Sequence, residues 1–113
     1  MPSATAADVE HVAARFARAA QASDGATLCR LLAPATREEI EESAGAACPA
    51  AITDEPLGRS TADRKTSVFG DEAMVTTDDD TLFLSRFADG WRVAAAACKP
   101  RAGRPYDCRV KGA

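Results

Sequence analysis

The chain has no asparagine, one histidine (His11), one tryptophan (Trp91), one tyrosine (Tyr106), and far fewer lysines than arginines. General acid–base work needs a titrating group beside a partner, and His11 is the only residue with an ordinary pKa near neutrality. On helical spacing it falls beside Glu10 and off the apolar stripe, so it reads as an exposed, solvated side chain. No run of about 18 apolar residues occurs and no charged-then-apolar leader, so these residues are not expected to cross or enter a membrane. There is no Gly-x-Ser-x-Gly elbow, P-loop glycine pattern or His-Glu-x-x-His helix, which removes the hydrolase and nucleotide readings. A net charge of −3 offers no concentrated basic surface, so nucleic acid is not an expected partner. The residues assign no catalytic group, no metal ligand and no cofactor.

What is present fits one domain. At 113 residues and 46% hydrophobic content the chain has enough apolar material for a single core. Residues 1–6 read as an N-terminal extension and 7–112 as the domain. Abundant alanine and arginine suggest a GC-rich bacterial genome. Charge is segregated: Glu38, Glu39, Glu41 and Glu42 crowd one helix, while Lys99, Arg101, Arg104, Arg109 and Lys111 crowd the C-terminal segment. Both read as solvated faces. The run Asp78-Asp79-Asp80 lacks the alternating ligands, glycine and distal glutamate of a calcium loop and reads as a solvated turn.

Four cysteines, Cys29, Cys48, Cys98 and Cys108, pair in three ways. Their order along the chain favours local pairing, 29–48 in the helical half and 98–108 in the strand half. Free buried thiols and a metal site are the competing readings, but zinc ligands usually come as C-x₂₋₄-C pairs and none occurs here. Disulfides persist outside the cytosol, so the expected localisation is extracytoplasmic, secreted or anchored through a segment outside these residues.

Val9, Val12, Ala13, Phe16 and Ala20 recur at three- and four-residue spacing and predict an amphipathic helix from about Asp8 to Ala22. Ser23 or Asp24 caps a second helix carrying Leu28, Leu31 and Leu32, which stops before Pro34. Thr36-Arg37-Glu38-Glu39 reads as a capping box opening a third helix that ends at Gly45. Cys48 to Ile52 adds one more turn. From Arg64 the period becomes two: Thr66–Phe69 and Ala73–Thr76 flank Gly70-Asp71, and Thr81–Phe87 and Trp91–Ala97 flank Ala88-Asp89-Gly90. Tyr106 to Val110 adds to an edge or folds over it. The expected fold is α+β, helices packed on one face of an antiparallel sheet. The small strand Ala94–Ala97 allows either close helix-on-sheet packing or a pocket floor.

This order, with Val68-Phe69-Gly70-Asp71-Glu72-Ala73-Met74-Val75 and Phe83-Leu84-Ser85-Arg86-Phe87-Ala88-Asp89-Gly90-Trp91-Arg92-Val93, resembles the NTF2-like superfamily, most of all its small actinobacterial extracytoplasmic members. The closing Cys98…Pro105-Tyr106-Asp107-Cys108 resembles their disulfide-tied tail. The resemblance implies a curved-sheet cone with a pocket between helix one and the sheet, and a possible homodimer through the sheet. Phe16, Arg86, Trp91 and Tyr106 are the candidate ligand-facing residues, with Arg86 pointing into the cone or out to water according to register. The expected function is a non-enzymatic extracytoplasmic module that binds a protein partner or a small apolar ligand. The alternative is a small ketosteroid-isomerase or cyclase-like enzyme in which Arg86, Asp79 or Tyr106 polarises a substrate. Fold alone does not choose between them.

Overall fold

The computed structural model describes residues 2–112; Met1, Ala113 and the side chains of residues 2–4 and of Arg104 in the basic tail lie outside the described part. Among these residues four helices come first: α1 (Pro2–Gln21), α2 (Gly25–Leu31), α3 (Pro34–Ala44) and α4 (Cys48–Ile52). Five strands follow: β1 (Lys65–Phe69), β2 (Glu72–Thr76), β3 (Thr81–Phe87), β4 (Gly90–Arg101) and β5 (Arg104–Lys111). The strands pair antiparallel in chain order and the sheet does not close. Helices α1 and α3 pack on it, giving the expected α+β architecture.

Two helix starts differ from expectation, and proline explains both. α1 begins at Pro2 rather than near Asp8, so residues 2–6 continue the first helix. Proline suits a first helical position because its fixed φ is helical and its missing N–H would be unpaired there anyway. The same logic makes Pro34 both the stop for α2 and the first residue of α3. The capping box at Thr36 therefore does not form. Ala33 is the N-cap, without a side-chain bond, and Thr36 lies buried one turn in, its hydroxyl donating to the Ala94 carbonyl of β4 at 2.8 Å.

The α1–α2 corner is tight. Ser23 takes the left-handed conformation (φ 53) that ends α1, and the Asp24 N–H reaches back to the Ala19 carbonyl at 2.8 Å. Asp24 is then the N-cap of α2, accepting from the Thr27 N–H at 3.2 Å and the Thr27 hydroxyl at 2.6 Å. Gly25, next in line, is buried against α4: a Cβ there would stand 2.4 Å from the Pro49 carbonyl oxygen. That close approach brings α2 to α4, where Cys29 and Cys48 are bonded. The acidic α3 contributes too, since Glu41 accepts the Cys48 N–H at 3.0 Å. Gly45 (φ 62) ends α3 as expected.

The long strand β4 is bent at two places. Ala94 is skipped between the pairs Leu84↔Val93 and Phe83↔Ala95, an extra residue of the bulge type. Beside it the β5 pairing begins only at Ala95, and the α2–α3 junction covers the vacant edge: Leu32 bridges Val93, and the Ala33 N–H bonds the Val93 carbonyl at 2.8 Å. Further along, Ala97 adopts φ 54, left-handed for a residue with a Cβ.

Asp80 answers that second bend. Its carboxylate accepts the Ala97 and Cys98 N–H groups at 3.1 and 3.0 Å, the Thr81 N–H at 2.7 Å, and the Gly58 N–H at 3.1 Å. Asp79 accepts the N–H groups of Arg59 (2.9 Å) and Ser60. Two members of the aspartate run are thus structural anchors for the long loop before β1 and for the β4 bend, not only the solvated turn expected; Asp79 stays exposed while it anchors, and Asp78 is exposed as well. β5 pairs as a full edge strand, joined to β4 by the Cys98–Cys108 disulfide. The acidic α3 packs against the basic β5.

The core lies between α1 and the sheet. Val9, Phe16 and Leu28 meet Val75, Leu84, Val93, Ala96 and Val110, each at most 1% exposed. Ala13, Ala17 and Ala20 on α1 let the helix approach the sheet closely.

Candidate functional site

The expected pocket would lie between α1 and the concave sheet. There Ala13, Ala14 and Ala17 meet Leu82, Thr77, Asp80 and Gly58 around a space of only about 10 Å³. That is scarcely room for one water. The small side chains of α1 therefore serve close packing rather than a pocket floor, whereas Ala97 of β4 lines a surface groove.

Larger grooves open on the surface, two of them above 300 Å³. One, of about 390 Å³, lies beside the Cys98–Cys108 bridge and is lined by Asp79, Asp80, Lys99, Asp107 and Arg109. Its two best-placed acceptors are already occupied by main-chain donors from the loop and β4. The other, of about 330 Å³, lies where α1, the end of α2 and the β3–β4 turn meet.

This second groove is built from simple local rules. Asp8, His11, Val12 and Arg15 stand at i, i+3, i+4 and i+7 on α1 and so share one face of the helix. Arg30 comes from the last turn of α2, and Trp91 and Arg92 from the start of β4. Arg92 fixes the corner: its guanidinium donates to the Arg30 carbonyl at 2.9 Å and pairs with Asp89 across the turn. That pairing, chiefly the Arg92 hydrogen bond, holds the Asp89 carboxyl below the ordinary 3.8 of an aspartate. Arg30 donates to the Thr27 hydroxyl at 3.0 Å. Among the described residues neither His11 nor Arg15 makes a hydrogen bond or ion pair, and both are exposed.

The four candidate residues are only partly brought together. Arg86 and Trp91 are cross-strand partners, and the Arg86 guanidinium lies 5.8 Å from the Trp91 ring centroid, within cation–π range. Arg86 points to water, not into a cone: it is paired with Asp71 at 2.7 Å and half exposed. Trp91 is 8% exposed and serves both as core edge and as a wall of the 330 Å³ groove. Phe16 is interior core and lines neither groove. Tyr106 packs its ring edge-on to Phe83 at 5.1 Å, which fastens β5 to the sheet, and lines neither groove.

Arg15, Arg30 and Arg92 were not among the candidate ligand-facing residues. The available signal was the i, i+4 pairing of His11 with Arg15 on the polar side of α1. Among the described residues no group of three or more His, Cys, Asp and Glu is placed to hold a metal ion. None of their helices is long and apolar enough to cross a membrane.

No family model, curated protein or solved structure matches the chain.

Proposed function

We propose that this chain is a non-enzymatic, NTF2-like binding module of an oxidising, extracytoplasmic compartment, and that it recognises a protein partner through the groove between α1, α2 and the β3–β4 turn. The observation that carries this reading is the contrast between a filled interior and an open groove with unengaged charged side chains at its rim. A small apolar ligand or a cyclase-like reaction would need an enclosed chamber, and pockets of that kind usually exceed about 300 Å³. The position such a chamber would occupy is packed with alanine, leucine and valine. The two bridges favour an oxidising compartment. The helix-then-meander order favours the NTF2-like assignment.

The test is a photoreactive amino acid placed singly at His11 or at Ser67 on β1 in the producing organism. Ser67 samples the open sheet, near exposed Phe69, where a homodimer would form. A specific heterologous adduct at His11, suppressed by excess wild-type protein, is expected. Adducts only at Ser67 would move recognition to the sheet.

A further inference from the structure

The charges around the groove are unevenly committed, and this narrows what it can hold. Five lining residues carry charge at neutral pH: Arg15, Arg30 and Arg92 against Asp8 and Asp89. Arg92 and Asp89 neutralise each other, and the Arg92 guanidinium is further tied to the Arg30 carbonyl. What remains for a ligand is Arg15, the Arg30 N–H groups not given to Thr27, and the His11 imidazole, with Asp8 at one end and Asp24 behind Arg30. In a chain of net charge −3 this is a local concentration of unspent donors. Beside them lie Val12, Leu31 and Trp91, an apolar floor.

Resting on the reading of this groove as the recognition surface, we infer that it takes a carboxylate side chain from an extended acidic segment of the partner protein. A guanidinium presents paired donors that match a carboxylate. A phosphate dianion is disfavoured, because Asp8 stands on the same face of α1 and repels a second negative charge. A free small carboxylate is disfavoured by shape, since small-molecule sites bury about 70–90% of their ligand and this groove is open along its length. An extended segment instead lays its carboxylate against Arg15 and Arg30, an apolar neighbour on Trp91, and a backbone N–H toward Asp8.

Trp91 is the only tryptophan, so its fluorescence reports the groove directly. The oxidised, ¹⁵N-labelled protein would be titrated with a short capped peptide of alternating glutamate and leucine, with its glutamine counterpart, and with sodium succinate. Amide shifts are expected at Arg15, Arg30 and Gly90 together with a change in Trp91 emission, weakened by raised salt. The glutamine peptide should bind about fivefold or more weakly, as loss of one or two exposed charge contacts implies. Arg15→Glu should weaken the acidic peptide at least as much, and Lys65→Glu on β1 should not. Equal binding of the two peptides within the groove overturns the carboxylate assignment and leaves the groove as the recognition surface. Succinate as strong as the peptide overturns the extended occupant. Shifts confined to other surfaces, or none with any probe at millimolar concentration, overturn the groove itself.

Discussion

Replacing Asp80 by alanine should be among the costliest single changes outside the apolar core. Its carboxylate accepts four main-chain N–H groups, from Gly58, Thr81, Ala97 and Cys98. The donor of Gly58 belongs to the loop before β1, which can turn toward water once released. Those of Thr81, Ala97 and Cys98 cannot, since all three residues are buried (5%, 7% and 4% exposed), at the start of β3 and at the left-handed bend of β4. Three buried donors left unpaired at about 1 kcal/mol each give a loss of about 3 kcal/mol. For a domain of this size that lowers Tm by about 12 °C or more. Asp80→Asn should fall between, because each carboxylate oxygen takes one β4 donor and the amide retains one acceptor. Urea unfolding of the oxidised protein, followed by circular dichroism, measures the effect, with Asp78→Ala as the exposed neighbour expected within about 0.5 kcal/mol of wild type. If Asp80→Ala matches Asp78→Ala, the aspartate run is a solvated turn after all and the anchoring argument fails.

Gly25→Ala should destabilise by about 1–3 kcal/mol, as overpacking against backbone does, because the added Cβ meets the Pro49 carbonyl at 2.4 Å and only movement of α2 from α4 relieves it; an unchanged urea midpoint would refute the close approach. The Asp24 carboxyl is held below the ordinary 3.8, first by the Thr27 hydroxyl and then by the Thr27 N–H. A depressed folded pKa contributes stability that is complete above 3.8 and is lost as pH falls through the lower folded value, so Asp24→Asn, which still caps, should flatten the acid limb of Tm against pH while leaving neutral Tm nearly unchanged. The two bridges should differ in reactivity: Cys29 and Cys48 are buried, whereas Cys108 is partly exposed and Cys98 borders a groove, so mild dithiothreitol should open 98–108 at least tenfold faster, read by alkylation and peptide mass.

Local chemistry made much of the fold readable. Period-two strands around Gly70-Asp71 and Ala88-Asp89, the Asp24 cap, the Gly45 terminus and the local disulfides all depend on residues near each other in sequence. What escaped depends on distant partners. Thr36 looked like a cap because its neighbours fit that motif, but an acceptor 58 residues away on β4 claims its hydroxyl. The aspartates at 79 and 80 looked solvated because most of their donors lie far off in sequence, in the loop at 58–60 and at the β4 bend. The groove escaped for the same reason. Arg15, Arg30 and Arg92 lie on three elements, and only the packing of α1 and α2 beside the β3–β4 turn collects them. Arg86 was ambiguous because register alone does not say whether a helix covers that end of the strand; there Asp71 and solvent meet it.

The binding module proposed above is an oxidised domain, filled inside, of an extracytoplasmic compartment. Its most direct test is peptide mapping of unreduced protein alkylated at the moment of isolation from the producing organism. The account predicts Cys29 linked to Cys48 and Cys98 linked to Cys108 with no alkylated cysteine. Protein recovered with its four thiols alkylated would contradict the compartment, and with it the binding-module reading built on that compartment.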